Sequence, residues 1–199
     1  MSAARPALLL DVMDTLVVDP FVDVFPRVLG GSFRDLLRDK DDAAWPRFER
    51  GEIDEATYFA TMFKDRRAVD GAAVRRALVD GYRFIDGIEA LLDELSRAGI
   101  EMHLLSNYPV WSTLLDEKLA LSRFAPWTFV SWKTGVRKPD PRAYTGAAAA
   151  LSRDPARCVF VDDRASNVVA ARATGMHGVV FSDARALRRA LVEVGVLDR

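Results

Sequence analysis

Two carboxylates stand at the end of the first apolar run of the chain. In the segment LLLDVMDTLV, residues 8–17, three leucines run directly into Asp11, and Asp14 follows three residues later. An acid at the end of a buried strand is suited to act as a nucleophile or a metal ligand at the edge of a sheet. A lone aspartate there more often caps a turn, so the later strand ends decide between the two interpretations.

Further polar groups follow the later apolar runs. They are Ser106 and Asn107 after MHLL, Asp162 and Asp163 after RCVFV, and Lys138 in the loop VRKPDP. At one edge of a parallel sheet, the carboxylates repel one another unless a cation lies between them, and Mg²⁺ is the hard ion that prefers oxygen ligands. A lysine and a hydroxyl beside it supply the positive charge and the hydrogen-bond donor that a phosphate needs.

The elements that must position these residues alternate between strands and helices. Five apolar runs are continuous, which is typical of parallel strands covered on both faces. They span 7–11, 102–106, 127–131, 157–162 and 178–181. Helical patterns lie between them: one starts with a capping-box-like pair of Asp86 and Glu89, and another has Asp140 as cap and Pro141 at its first position. This order predicts an α/β fold with a doubly wound, Rossmann-like parallel sheet.

One segment breaks the alternation. Residues 19–84 contain no convincing strand and are typical of several short helices, with Ser32, Asp54 and Asp70 as candidate caps. We therefore predict an α/β core domain made of residues 1–18 and 85–199. A small helical cap, residues 19–84, would be inserted after the first strand, over the edge of the sheet where ligands bind.

The composition shows no sign of a nucleic-acid or membrane partner. The 199 residues are 50% hydrophobic, which is enough for one sizeable core, and 28 basic against 29 acidic side chains give a formal net charge of -1. Nothing suggests nucleic-acid binding, and no apolar run approaches bilayer length. The N-terminal segment MSAARPALLLD is a poor signal peptide, and the single Cys158 cannot form an internal disulfide, so we expect a cytoplasmic protein.

The ordered motifs resemble those of the haloacid dehalogenase superfamily. DVMDTL, LSN, KPDP and VFVDD, with Asn167 four residues beyond the last, cover nearly the whole chain. The phrases DVMDTLV, DPF, SNYPVW and RKPDP are most similar to the plant chloroplast flavin mononucleotide hydrolase type. The resemblance implies an Mg²⁺-dependent phosphatase of small phosphorylated metabolites, with flavin mononucleotide as a candidate substrate. We expect a monomer or a homodimer.

The resemblance also implies a role for each matching residue. Asp11 would be the nucleophile that forms an aspartyl-phosphate. Ser106, with the Asn107 backbone, would bind the phosphoryl oxygens. Lys138 would contribute to substrate binding and would screen the charge of the nucleophile and of the transferring group.

Position 13 departs from the family pattern. The second residue after the nucleophile is usually an aspartate, whose carbonyl binds the metal and whose carboxyl handles protons. Met13 keeps only the carbonyl, which would ligate Mg²⁺ together with Asp11, Asp163 and the adjacent Asp162. The lost acid–base help is typically worth about 10²–10⁴-fold in rate. Asp14, one position along, is expected to substitute weakly, and the alternative is that it caps the turn.

Two other functions stay open at the level of sequence. A metal-independent 2-haloacid dehalogenase would use Asp11 to displace halide from carbon and tolerates the loss of the second acid. The pair of Asp162 and Asp163 argues against it, because a metal-free site gains little from added carboxylates. A catalytically weak, metabolite-binding protein on the same scaffold is supported by Met13 alone. Dehalogenation should survive metal chelation, and phosphatase activity should not.

Aromatic residues of the insertion and of the strand ends are candidates for contact with a flat substrate ring. Those of the insertion are Trp45, Tyr58, Phe59 and Phe63, and those near strand ends are Tyr108, Trp111 and Trp132. A flavin ring would need such a wall. Helically spaced aromatic residues are more often part of a core, so the sequence does not decide which of them contact substrate.

Overall fold

The five predicted strands form a single parallel sheet in the order β3–β2–β1–β4–β5. The computed structural model describes residues 5–198, so Arg199 and residues 1–4, which belong to the segment examined for a signal peptide, lie outside it. The strands are β1 Ala7–Leu10, β2 Met102–Ser106, β3 Phe129–Val130, β4 Cys158–Asp162 and β5 His177–Val180. The predicted doubly wound α/β fold is therefore confirmed.

Helices lie on both faces of the sheet and in the insertion. Within the described range they are α1 Phe21–Leu29, α2 Phe33–Asp39, α3 Ala44–Glu49, α4 Glu55–Thr61, α5 Gly71–Gly81, α6 Ile88–Arg97, α7 Ser112–Leu119, α8 Ser131–Thr134, α9 Pro141–Ala150, α10 Ala165–Ala173 and α11 Ala184–Glu193. None of these helices combines the length and the apolar character that crossing a bilayer requires.

The burial of β1 explains its continuous apolar run. Leu8 and Leu10 belong to the large core cluster on one face, which includes side chains of α6 and α11, and Leu9 belongs to the cluster on the other face. There Leu9 is grouped with Tyr144 of α9 and Val168 of α10. Because alternate side chains point to opposite faces, a strand covered on both sides needs an apolar residue at every position.

The insertion folds as the predicted series of helices. Ser32, Asp54 and Asp70 each accept a hydrogen bond from a backbone N–H in the first turn of α2, α4 and α5, so these three predicted caps are confirmed. At the base of the insertion, Val17 pairs with Phe84 in an isolated antiparallel bridge. The division into a core domain and a cap, with boundaries after residues 18 and 84, stays a prediction.

One helix start and the length of one strand in the core differ clearly from the sequence-based prediction, and the other strands agree to within one residue at each end. Asp140 caps α9 as predicted and accepts the N–H of Arg142. The predicted capping box at the start of α6 was wrong, because the left-handed Gly87 precedes the helix with no side-chain cap. β3 is also shorter than predicted. Ser131 begins α8, and its hydroxyl donates to the carbonyl of Glu49 at 2.5 Å.

Candidate active site

Three neighbouring strands deliver polar side chains to the same edge of the sheet. Asp11 follows β1, Ser106 is the last residue of β2, and Asp162 is the last residue of β4. Their positions are set by parallel register: Leu10 is paired with Leu104 and with Val161. The structure therefore brings together the strand-end residues that the sequence singled out.

Lys138 joins the ends of β1 and β4. Its Nζ donates to Asp11 Oδ1 at 2.7 Å and to Asp162 Oδ2 at 2.6 Å. Asn107 holds the lysine from the side of its main chain: Asn107 Nδ2 donates to the Lys138 carbonyl at 2.8 Å, and the Lys138 N–H donates to Asn107 Oδ1 at 2.7 Å. The Asn107 side chain thus fixes the loop that carries the ammonium group.

Asp11, Asp162 and Asp163 each place a carboxylate oxygen within 4.8 Å of the other two. Asp162 is fully buried and also accepts hydrogen bonds from Asn167 Nδ2 at 3.0 Å and from the Arg164 N–H at 2.8 Å. The side chain of Asp162 therefore holds its neighbours in place in addition to contributing charge.

Burial raises the pKa of two of these carboxyls. For Asp11, desolvation is the largest effect and the nearby Lys138 charge opposes it. For Asp163, burial followed by the negative charges of Asp11 and Asp162 raises the pKa to about 6. One ammonium group does not balance three carboxylates, so the cluster fits a divalent cation with oxygen ligands such as Mg²⁺. The Asp163 carboxylate accepts no hydrogen bond from residues 5–198, and Asp11 Oδ2 has a long contact of 3.4 Å to the Thr15 hydroxyl, so these two carboxylates are the candidate ligands.

The hydroxyl of Ser106 is a buried polar group without a partner. The residue is 2% exposed and lines the cavity above Asp11, yet its Oγ makes no hydrogen bond to any part of the described chain. Buried hydroxyls are normally satisfied, because an unpaired one costs about 1–3 kcal/mol. A phosphoryl oxygen bound next to Asp11 would satisfy it.

The turn after β1 separates the two residues that follow the nucleophile. Met13 lines the cavity, whereas Asp14 is exposed, has a positive φ of 55° and does not line it. Asp14 Oδ1 instead accepts the N–H of Asp19 at 3.0 Å. Thr15, which had no predicted role, lies between two site residues: its Oγ1 donates to Asp11 Oδ2 at 3.4 Å and accepts the Asp163 N–H at 3.0 Å.

A cavity of about 340 Å³ opens between the sheet edge and the insertion. That volume lies in the range of small-molecule sites, about 300–1,000 Å³. Its polar end contains Asp11, Ser106, Asn107 and Lys138. Its other wall is mainly apolar and comes from the insertion, and the lining residues there include Phe21, Phe25, Phe33, Leu36, Trp45, Tyr58, Met62 and Phe63.

Six charged residues that line this cavity were given no site role by the sequence interpretation: Asp19, Lys40, Asp41, Glu49, Arg137 and Arg164. Glu49 is buried and forms an ion pair with Arg137 at 2.8 Å. Burial raises the pKa of Glu49, and the charge of Arg137 opposes that rise. Two of the six lie within the motifs that carried the family resemblance, since Asp19 belongs to the phrase DPF and Arg137 directly precedes Lys138.

The five-stranded parallel sheet, the acid after its first strand and the lysine that bridges two strand ends define a class of hydrolase. The haloacid dehalogenase-like hydrolase model matches residues 7–175, and the chain belongs to that family. The resemblance inferred from the motifs is thereby confirmed, and the protein is an enzyme of the hydrolase class.

Two individual relatives of the chain are, by name, a hydrolase and a phosphatase. Flavin mononucleotide hydrolase 1 of Arabidopsis thaliana, a chloroplast protein by name, is 39% identical over 191 residues, which are 96% of this chain and 78% of the relative. A sesquiterpene phosphatase of Aspergillus oryzae is 29% identical over 78% of this chain and 81% of its own. The predicted similarity to the plant flavin mononucleotide hydrolase type is thus confirmed.

Solved structures agree with the fold. A haloacid dehalogenase family enzyme from Bacteroides thetaiotaomicron, determined with magnesium and inorganic phosphate, superposes with a TM-score of 0.70. It is 18% identical, and the match covers 90% of this chain and 95% of the other. At that identity, the likeness supports the architecture of the sheet and the insertion rather than any particular substrate.

Proposed function

We propose that this protein is a Mg²⁺-dependent phosphatase that forms an aspartyl-phosphate on Asp11. The observation that carries the proposal is the arrangement of Lys138, three carboxylates and Ser106 at the sheet edge. Lys138 Nζ touches both Asp11 and Asp162, Asp163 completes the carboxylate cluster, and the unpartnered Ser106 Oγ lies in the same cavity. A phosphoryl group is the ligand whose charge and oxygens fit this set of groups.

The residues divide the work of phosphoryl transfer between them. An Asp11 carboxylate oxygen attacks phosphorus, while the Lys138 ammonium group and the Ser106 hydroxyl hold the phosphoryl oxygens. Asp11, Asp163 and the Met13 carbonyl would hold Mg²⁺, with Asp162 beside them, and the ion would supply positive charge to the phosphoryl oxygens. Asn107 acts through Lys138, because its side-chain amide bonds to both the N–H and the carbonyl of the lysine main chain.

The cavity favours a phosphate ester with a large apolar or flat organic group. Its wall opposite the acids carries several aromatic side chains, and Phe21 lies 4.4 Å from Phe25 and 4.8 Å from Trp45, ring centre to ring centre. Both named relatives act, by their names, on phosphates with bulky organic parts. Flavin mononucleotide is therefore our first candidate substrate, with an isoprenoid phosphate as the comparison.

The proposal extends to the partner, the oligomeric state and the cellular compartment of the protein. Its partner would be a small phosphorylated molecule of a size that the cavity of about 340 Å³ accommodates, and the protein would act as a monomer or a homodimer. The one cysteine, Cys158, is free and buried, as suits a reducing compartment such as the cytoplasm.

Phosphate release from a panel of phosphorylated metabolites tests the proposal. The panel contains flavin mononucleotide, an isoprenoid phosphate and glycerol phosphate, each with Mg²⁺ and with EDTA, and Asp11→Asn is the control. We expect release from a bulky substrate that requires both Mg²⁺ and Asp11. Acid-quenched protein incubated with ³²P-labelled substrate should carry label, and Asp11→Asn should carry none.

Two results would overturn the proposal. Halide release from a 2-haloacid that persists in EDTA would indicate the dehalogenase reaction instead. Saturable binding of Mg²⁺ and flavin mononucleotide, with no phosphate released from any member of the panel over hours, would indicate a binding protein.

A further inference from the structure

The proposed reaction requires a proton that Met13 has no group to provide. An alkoxide leaves phosphorus slowly unless its oxygen is protonated as the bond breaks. The carboxyls that line the cavity are Asp11, Asp19, Asp41 and Glu49. Asp11 is the nucleophile, Glu49 is paired with Arg137, and Asp41 is paired with Arg66 at 2.9 Å. Among the lining carboxyls, Asp19 is the one with no ion pair inside the described part of the chain.

The geometry of Asp19 is fixed by its neighbours on both sides. Its backbone N–H donates to Asp14 Oδ1 at 3.0 Å, and its Oδ1 accepts the N–H of Phe21 at 3.0 Å. The residue lies where the chain leaves the core and enters α1, directly after Val18, whose N–H donates to the Arg83 carbonyl at 3.0 Å. Over residues 5–198, no donor reaches Asp19 Oδ2, so one oxygen is held and the other is available to a ligand in the cavity.

We propose that Asp19 is the acid–base residue of this phosphatase and that Asp14 is a positioning residue that holds it. The inference rests on the proposed function, since it names the proton carrier of that reaction. It replaces the sequence-based expectation that Asp14 itself transfers the proton, because Asp14 does not line the cavity and its carboxylate already accepts the Asp19 N–H.

The proton balance of the two steps is complete with Asp19 alone. In the first step an Asp11 oxygen bonds to phosphorus, the bond from phosphorus to the leaving oxygen breaks, and the Asp19 carboxyl gives its proton to that oxygen, which leaves as an alcohol. In the second step the Asp19 carboxylate takes a proton from water as the water oxygen bonds to phosphorus. The bond to Asp11 breaks, inorganic phosphate is released, and both residues return to their starting states.

The charge environment of Asp19 suits a group that alternates between these two forms. Burial raises its pKa from 3.8 to about 6, the Phe21 N–H opposes the rise, the Asp14 charge adds to it, and Arg164 and Asp11 make smaller contributions of opposite sign. An acid with a pKa near the working pH is the most effective proton carrier.

Dependence on the leaving group tests this role. An alkyl phosphate that the wild type hydrolyses, such as flavin mononucleotide, is compared with p-nitrophenyl phosphate, whose phenolate leaves without a proton. We expect Asp19→Asn to lower kcat/KM for the alkyl ester by about 10²–10⁴-fold and to lower that for the aryl ester far less. The ratio of the two values, measured on one sample, does not depend on how much of the protein is folded.

Two further variants sharpen the comparison. Asp14→Asn should lower the same ratio by a smaller factor, because its amide oxygen still accepts the Asp19 N–H. Asp41→Asn removes another carboxyl of the same cavity and should change both substrates by the same factor. If Asp19→Asn cannot be purified, Asp19→Ser, which also lacks the carboxyl, should show the same drop in the ratio of alkyl to aryl kcat/KM.

The outcomes separate this inference from the proposed function. Equal loss on the two substrates in Asp19→Asn, no loss on either, or an alkyl-selective loss in Asp14→Asn alone would overturn the role of Asp19. An absence of Asp11-dependent hydrolysis in the wild type would instead overturn the proposed function.

Discussion

Lys138 Nζ lies 2.7 Å from Asp11 Oδ1, although the two residues are 127 positions apart in the sequence. The side chains are 2% and 10% exposed, so water screens this pair little. The same ammonium group touches the fully buried Asp162. The Lys138 ammonium group is therefore in place before substrate binds, and it need not reorient as charge develops on the phosphoryl oxygens.

Replacement of Lys138 by Met should therefore lower kcat by about 10²–10³-fold, the usual cost of losing one preorganised charge-stabilising donor. It should also destabilise the fold, because breaking a buried pair costs about 3–5 kcal/mol. Phosphate release and urea unfolding measure the two effects. Lys133→Met, an exposed lysine on α8, is the control and should change neither. A Lys138→Met enzyme with wild-type turnover would contradict the assigned role.

The second prediction concerns Mg²⁺ and the Asp163 carboxylate. Binding of Mg²⁺ to the folded protein alone should raise the free energy of unfolding by about 2.7 kcal/mol at 100 times the Kd. Calorimetry at increasing Mg²⁺ should show a rising Tm for the wild type and a flat one for Asp163→Asn. Asp86→Asn, an exposed aspartate distant in sequence from the site motifs, should behave as the wild type. An equal Mg²⁺ response in Asp163→Asn would exclude Asp163 as a ligand.

The third prediction concerns the aromatic wall of the cavity. Phe21 lines the cavity and packs on Phe25, whereas Phe59 is buried to a similar degree in the same aromatic cluster but does not line it. Phe21→Ala should raise KM for a bulky substrate by about 10-fold or more, as expected for losing about 1.5–3 kcal/mol of apolar contact. KM for glycerol phosphate should change little, because that ester is too small to reach the wall.

Phe59→Ala is the matched control for this experiment. It removes the same side chain from a half-buried position, so it reports the effect of truncating a ring without removing a cavity wall. Steady-state kinetics on both substrates distinguish the cases. A rise in KM that is equal for the two substrates, or equal in the two variants, would mean that the apolar wall does not select the organic part of the substrate.

Features that depend on burial or on neighbouring residues were predictable from the sequence. Strands covered on both faces leave continuous apolar runs, and the polar residues at their ends are brought together by parallel register. The caps Ser32, Asp54, Asp70 and Asp140 were predictable because each bonds to an N–H two or three residues ahead. These relations depend on local chain geometry.

Features that depend on distant residues were not predictable. The pair of Glu49 and Arg137 joins positions 88 apart, and Ser131, the first residue after β3, donates to the Glu49 carbonyl, 82 positions away. The direction of Asp14 depends on a positive φ that few residues other than glycine adopt. Asp14 does not line the cavity, whereas Asp19, two residues before α1, does.

The last prediction uses the pH dependence of stability to test the burial of Asp19 without any substrate. Its carboxyl has a pKa of about 6 in the folded protein against 3.8 ordinarily, so folding favours the protonated form. The ionised form therefore costs stability: the cost is absent below about pH 4, grows as the pH rises toward 6, and is complete above it. A rise from 3.8 to about 6 corresponds to about 3 kcal/mol.

Asp19→Asn removes that cost, because the amide is never charged and still accepts the Phe21 N–H. We expect equal unfolding free energies for the variant and the wild type near pH 4 and a more stable variant above pH 6, measured by urea unfolding in EDTA. The charged and titratable groups around the carboxyl are Asp11, Asp14, Tyr82, Tyr108 and Arg164. All of them are common to both proteins, so the difference between the two curves isolates Asp19. Asp23→Asn, at an exposed position of α1, is the control and should gain no stability above pH 6. If Asp23→Asn gained as much stability as Asp19→Asn, the gain in Asp19→Asn could not be attributed to the burial of Asp19.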